Sequence, residues 1–330
     1  MSERTLPSRR DFLALAGGAF AVAALPLAAF RRRGAGGLVR RSVPSMGGMA
    51  DLAAVHPDRR RAGRALDAAI AELRRVEAAM TRFDPASDVG RANRLAYADA
   101  VPVGDETAAV LREALRWSAA TDGGFDPTLA RVADLWDVKR RHAPPPGDAV
   151  RRMAGRRLWR TLDVDVFRGR PVVRFGDRDV QLDLGGIACG YGVDRAVAAM
   201  RAWGVFDGFV NVGGDIYALG VREDGEPWEV GVRSPYDPDA LVGTARLSDR
   251  AIATSGDYEQ YFDYGGRRYS HILDPATAEP RRSATHGVTI AAATCLATDA
   301  ASTACFGLAP EAARALLARA APGAELVSLA

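Results

Sequence analysis

Between residues 58 and 82 the apolar side chains Ala62, Leu66, Ala69, Ile70, Leu73, Val76 and Met80 recur at steps of three and four, with arginines and glutamates between them. That spacing predicts a long amphipathic helix, which can bury its stripe only against a second layer. A second helix is expected from about Glu106 to Ala120, opening after Gly104-Asp105 and ending at Asp122-Gly123-Gly124. Beyond residue 170 the period changes. Pro171 to Phe175, Val180 to Leu184, Gly208 to Val212, Ile216 to Val221, Trp228 to Arg233 and Leu241 to Leu247 are short runs of period two or of continuous apolar character, separated by Gly-Asp, Asp-Gly and Asp-Pro turns. One helix, about Gly190 to Trp203, interrupts them. Strands are expected again at Ala251 to Thr254, Arg267 to Leu273 and Gly287 to Ala292, then helices at Ala297 to Gly307 and Pro310 to Ala320, and a last strand at Glu325 to Leu329. Helices first, strands in the middle and helices last imply an α+β fold with largely antiparallel sheets flanked by helices, not a doubly wound sheet. The proline-rich Arg140 to Asp148 reads as a surface loop, and no internal repeat is present.

Charge divides the chain unevenly. Residues 1–41 hold eight arginines against Glu3 and Asp11, a net +6, whereas the whole chain carries +3, so residues 42–330 are net −3. A mildly acidic body argues against nucleic acid as a partner. The amino terminus reads Ser8-Arg-Arg-Asp-Phe-Leu13, runs uncharged from Phe12 to Phe30 and closes on three arginines. Residues 1–41 are therefore expected to be a twin-arginine export signal, or an uncleaved membrane anchor, with residues 42–330 forming one periplasmic or otherwise extracytoplasmic domain. Cys189, Cys295 and Cys305 are an odd number without C-x-x-C spacing, so no disulfide framework or zinc site is indicated; a Cys295 to Cys305 pair is the alternative to core cysteines.

Four polar clusters interrupt the core pattern: Thr121 to Thr128; the glycine-rich "LDLGGIACGYGVDR" of residues 182–195; Ala253 to Tyr258 with Tyr269 to Pro275; and Ala297 to Thr303. Asp299 and Thr303 are four apart in a helical segment, so a carboxylate and a hydroxyl share one face. Two hard oxygens suit magnesium, which takes few protein carboxylates and lets substrate phosphates complete its shell, and a carbonyl of the Gly185-Gly186 turn can supply a third oxygen. The competing reading makes Thr298 or Asp299 a helix-start residue serving the dipole. His271 reads either as a structural strand histidine or as a proton acceptor. No P-loop, strand-linked G-x-G-x-x-G or G-x-S-x-G elbow occurs.

Six stretches occur together in order: "RFDPASDVGRAN", "GGFDPTL", "LDLGGIACGYGVDRA", "NVGGDIYALG", "TSGDYEQYF" with "RYSHILDPATAEP", and "VTIAAATCLATDAASTACFGL". In this the chain resembles the FAD:protein FMN transferases, the ApbE-type flavin transferases, from about Ser45 to its end. The resemblance implies magnesium-dependent transfer of FMN from FAD, the substrate, to a threonine or serine hydroxyl of an exported or membrane redox protein, with release of AMP. Hydrolysis of FAD to FMN and AMP, or flavin binding without turnover, are the alternatives. By resemblance, Gly186, Asp299 and Thr303 hold magnesium and His271 takes the hydroxyl proton. Met46, Phe83, Gly124, Phe125, Asp126, Asp183, Cys189 and Ile272 meet FAD, with Thr254, Ser255 and Asp257 shaping the same pocket. Three positions depart from the family pattern: Cys189 stands where lysine is common, Phe83 where tyrosine is common, and Met46-Gly-Gly-Met where Met-Gly-Thr is usual.

Overall fold

The computed structural model describes residues 37–237 and 239–330, together with the backbone of Phe20–Val22. The reading of residues 1–41 as an export signal falls mostly outside them. Among the described residues, no helix is long and apolar enough to cross a membrane.

A seven-stranded sheet organises the molecule. Its strands run, edge to edge, Glu325–Leu329, Gly287–Ala292, Arg250–Gly256, Asp215–Leu219, Asp207–Val212, Gly48–His56 and Gly37–Ser45. Every neighbouring pair is antiparallel. The first strand starts at Gly37, ahead of the expected boundary at residue 42. Eight helices accompany the sheet among the described residues: α1 Arg59–Met80, α2 Asp88–Leu95, α3 Asp105–Ala120, α4 Ala130–Trp136, α5 Gly147–Met153, α6 Ala188–Ala202, α7 Cys295–Cys305 and α8 Pro310–Ala320.

Period-two patterning sorts the sheet's side chains to two faces. Leu52, Val210, Val212 and Tyr217 meet the stripe of α1, where Leu66, Ile70 and Leu73 are buried, and Val193, Val197 and Met200 of α6. Phe209, Ile216 and Ile252 face the other way, onto Trp228, Val230 and Val232 of the strand Trp228–Arg233. That strand pairs with Leu241–Leu247 and with the backbone of Phe20–Val22. A further core joins α3, α7 and α8 to the three-stranded sheet of Val101–Pro102, Arg170–Phe175 and Leu162–Phe167. The α+β architecture with largely antiparallel sheets is as the sequence implies.

Helix α1 starts as its chemistry dictates, with Asp58 Oδ1 accepting the Arg60 and Arg61 N–H groups at 2.8 and 3.1 Å. One expected strand is absent. Val180 to Leu184 forms only an isolated bridge between Gln181 and Leu129. The Asn93 side chain takes the place of a strand partner there: its Oδ1 accepts the Leu182 N–H at 2.6 Å and its Nδ2 donates to the Leu182 carbonyl at 3.0 Å. The Cys295 to Cys305 disulfide is also absent, all three cysteines being free.

Candidate functional site

Helix α7 is fixed at its start by its own cap residue and by a carboxylate of α6. The Thr294 hydroxyl accepts the Ala297 N–H at 3.3 Å, and Asp194 of α6 accepts the Cys295 and Leu296 N–H groups at 2.8 and 2.9 Å. A carboxylate on those open donors suits the helix dipole. Burial nevertheless pushes the Asp194 carboxyl up to about 6. Because Thr294 is the cap, Thr298 and Asp299 are not helix-start residues, and that reading falls. Thr298 instead turns its hydroxyl back to the Cys295 carbonyl at 3.0 Å.

Asp299 points from α7 toward α6, where its Oδ2 accepts the Gly190 N–H at 2.9 Å. Only glycine permits this crossing: a Cβ on residue 190 would lie 2.2 Å from the Cys295 carbonyl oxygen. Burial, then the nearby Asp215 and Asp194, hold the Asp299 carboxyl well above the ordinary carboxylate range. Asp215 is itself pushed up to about 7, chiefly by burial. One turn along α7, Thr303 Oγ1 lies 3.2 Å from Ser255 Oγ, which is also 2.8 Å from Ser302 Oγ. Gly186 closes the group. A Cβ there would stand 3.3 Å from Thr303 Oγ1 and 3.5 Å from the Phe125 ring.

Gly186 of the glycine turn thus lies against Thr303, and Asp299 stands one turn earlier on α7. Among the described residues, no three His, Cys, Asp or Glu side chains are arranged to hold a metal. A carboxylate, a hydroxyl and a carbonyl beside an open turn match the few protein ligands magnesium takes when phosphate supplies the rest.

The residues expected to meet flavin continue outward from this point. Asp183 Oδ1 accepts the Gly185 N–H at 2.8 Å, shaping the turn, and its Oδ2 pairs with Arg82 Nε at 2.9 Å. Arg82 also reaches Asp134 at 2.8 Å, and its guanidinium lies 4.4 Å from the centroid of Phe83, a ring 80% exposed. Asp126 Oδ1 accepts the Thr128 N–H and hydroxyl at 2.8 and 2.5 Å, yet burial pushes its carboxyl up to about 6. Gly124 and Ile272 meet through Arg281, whose Nη2 donates to the Gly124 carbonyl at 2.6 Å while its backbone N–H donates to the Ile272 carbonyl at 2.7 Å. Met46, at φ 52°, places its sulfur 2.8 Å from where a Gly192 Cβ would stand. Cys189 Sγ lies 3.5 Å from the Val212 carbonyl. Burial, followed by Asp215 and Asp299, holds its thiol well above the ordinary value.

His271 follows the strand Arg267–Ser270 and faces solvent, with Nδ1 3.3 Å from the Gln260 carbonyl. Crowding by the surrounding chain lowers its pKa, so a neutral imidazole is favoured. Asp257 interacts with His271 electrostatically and bonds directly to His286, Oδ2 to Nδ1 at 2.8 Å. Thr254 is held by Thr289 at 2.7 Å.

Sequence reasoning missed Asp194, Asp215, Ser302 and Arg281. Asp215 lies within the "NVGGDIYALG" stretch, where the acid after two glycines was a readable signal. Asp194 and Ser302 likewise lie inside the glycine-rich stretch of 182–195 and the Ala297 to Thr303 cluster, but their partners are 101 and 47 positions away, and Arg281 follows the "RYSHILDPATAEP" stretch directly.

Comparison with known proteins gives this arrangement its relatives. The sequence profile of the ApbE family matches residues 46–327. A FAD:protein FMN transferase of Vibrio cholerae serotype O1 is 29% identical over 232 residues, 70% of this chain and 69% of that one. One of Treponema pallidum is 35% identical over 232 residues, 66% and 63% of the two chains. Among solved structures, the ApbE protein of Thermotoga maritima superposes with a TM-score of 0.77 at 30% identity, covering 88% of this chain and 93% of that one. The flavin transferase ApbE from Vibrio cholerae gives 0.75 at 26% identity, with 86% and 90% covered. On a profile spanning nearly the whole body and a shared fold, the chain belongs to the ApbE family.

Proposed function

We propose that the protein transfers FMN from FAD to a threonine or serine hydroxyl of an exported or membrane redox protein, with magnesium. The observation that supports this reading is the packing of Gly186 against Thr303, beside Ser255, with Asp299 one helical turn away on α7. The names of the relatives, FAD:protein FMN transferases, support the same reaction class.

Phosphoryl-type transfer asks a protein chiefly to position the partners and to stabilise charge. Magnesium bound by Asp299, Thr303 and the Gly186 carbonyl would neutralise pyrophosphate charge. His271, favoured in its neutral form, accepts the proton of the acceptor hydroxyl. The hydroxyl oxygen then bonds to the FMN phosphorus, and the bond from that phosphorus to the bridging oxygen breaks, releasing AMP. Asp183, Asp126, Phe125, Phe83, Gly124, Met46, Cys189 and Ile272 form the flavin-binding side. The residues ahead of Gly37 would export the chain by the twin-arginine route, to act in the periplasm or at the outer face of the cytoplasmic membrane.

Incubation with FAD, magnesium and a threonine-bearing acceptor, read by mass spectrometry, tests the reading. An FMN increment on threonine is expected. Release of free FMN with no labelled acceptor would favour hydrolysis, and flavin binding with no product would favour a carrier.

A further inference from the structure

The segment from Lys139 to Arg152 carries five cations, Lys139, Arg140, Arg141, Arg151 and Arg152, against one anion, Asp148, within a body that is net negative. Asp148 is taken by Arg152 at 2.6 Å, and Arg140 lies 3.9 Å from Asp137. Lys139, Arg141 and Arg151 have no carboxylate partner among the described residues. Folded loops seldom concentrate unpaired like charge unless something opposite meets it.

The same segment walls a groove of about 220 Å³ lined by Trp136, Pro144, Pro145, Tyr269, the unpaired Arg151 and the Arg267–Glu279 ion pair at 3.3 Å. Small-ligand pockets run to about 300–1,000 Å³, so this groove suits an extended chain lying across it rather than an enclosed small molecule. Its floor is rigid. Trp136 stacks on Tyr269 at 5.5 Å, Tyr269 on Phe262 at 5.1 Å, and the Trp136 Nε1 donates to the Ala278 carbonyl at 2.7 Å. Tyr269 stands two residues before His271, and Lys139 acts electrostatically on that imidazole.

We propose that this groove docks an acidic segment of the acceptor protein, its carboxylates meeting Lys139, Arg141 and Arg151 while the adjoining hydroxyl residue reaches His271. The proposal rests on the transferase reading for its purpose, but docking is measurable without transfer. Fluorescein-labelled peptides of about a dozen residues, one threonine each, would be titrated with the full-length chain and FAD and read by anisotropy. One peptide flanks the threonine with Asp and Glu; the other carries Asn and Gln. The acidic peptide is expected to bind about tenfold tighter at about 50 mM salt, with the preference fading near 500 mM. The combined variant Lys139→Ser, Arg141→Ser, Arg151→Ser should lose the preference and keep its FAD affinity. Equal binding of the two peptides, or a preference surviving in the variant, overturns the proposal. So does a variant that loses only its binding to phosphatidylglycerol vesicles, since the basic face would then serve a lipid surface. A chain that docks the acidic peptide yet never labels it would instead sink the transferase reading and leave the groove assignment standing.

Discussion

Gly190 donates its N–H to Asp299 Oδ2 at 2.9 Å, and a Cβ on Gly190 would lie 2.8 Å from the Asp299 Cβ. The contact that orients the proposed magnesium ligand is therefore the contact that forbids a side chain at residue 190. Gly190→Ala gains about 1 kcal/mol of helix propensity. Forcing a methyl to 2.2 Å from the Cys295 carbonyl costs about 3 kcal/mol or more, because backbone must move. A net loss of about 2 kcal/mol in denaturant unfolding is expected, together with weaker magnesium dependence of flavin transfer. Unchanged stability would mean that α6 and α7 slide apart freely.

Asp299→Asn separates stability from function. Asparagine Oδ1 can still accept the Gly190 N–H, while a buried charge disfavoured by its surroundings is removed. The melting temperature is expected to rise by a few degrees and magnesium-dependent transfer to fall about 100-fold or more. A variant that transfers FMN normally would remove Asp299 from the metal site.

Part of this was legible in the sequence because it is local. The stripe of α1, the strands Asp207–Val212 and Trp228–Arg233, and α8 each announce themselves by periodicity. The pairing of Gly186 with Thr303 was readable only through motif order, since 117 positions separate them in the chain. Val180 to Leu184 misled because its apolar run matched a strand, while its actual backbone partner is the amide of Asn93, a contact made across 89 positions. Strands Gly37–Ser45 and Gly48–His56 went unread: the Arg40-Arg41 pair breaks the alternation of the first and alanines dilute the second, so neither resembles a β-branched run.

Asp126 provides a test in pH. Its carboxyl rises from 3.8 to about 6 because it is buried. The folded state thus holds the proton more tightly than the unfolded state, so the ionised group costs stability, progressively from about pH 4 to pH 6 and fully above that. Two pKa units correspond to about 2.7 kcal/mol, reduced to roughly 1–2 kcal/mol by the side chain's partial exposure. Asp126→Asn keeps an acceptor for the Thr128 N–H and hydroxyl, so it should match the parent near pH 4 and exceed it by that amount at pH 7. Weakened FAD affinity is expected alongside. A stability difference independent of pH would contradict the burial argument.

His271 should govern the acidic limb of the transfer rate. Crowding by the surrounding chain lowers its pKa, so the neutral base persists below the ordinary histidine value, and activity should fall only at pH below about 6.5. His271→Ala is expected to cost about 10²- to 10⁴-fold in rate while leaving FAD affinity within a few-fold, because the imidazole acts on the acceptor hydroxyl. Loss of FAD binding in the variant, measured by flavin fluorescence, would assign the histidine to the cofactor instead.

Cys189 tests whether the site lacks a cation. The groups acting on its thiol after burial are Asp215, Asp299 and Glu77, all acidic and all raising its pKa. Its neighbour Asp215, pushed up to about 7, has Asp194 as a further acidic influence. The thiol is therefore held neutral, and iodoacetamide near pH 8 should leave Cys189 unmodified in the folded protein and label it after denaturation. A lysine at this position would instead place an ammonium among carboxylates, an arrangement in which opposite charges favour one another's ionised forms. Cys189→Lys should accordingly raise the transfer rate, by about tenfold if the ammonium also meets pyrophosphate charge. A variant that folds, binds FAD and works no faster would show that charge at this position is immaterial, and that the glycine turn and α7 suffice.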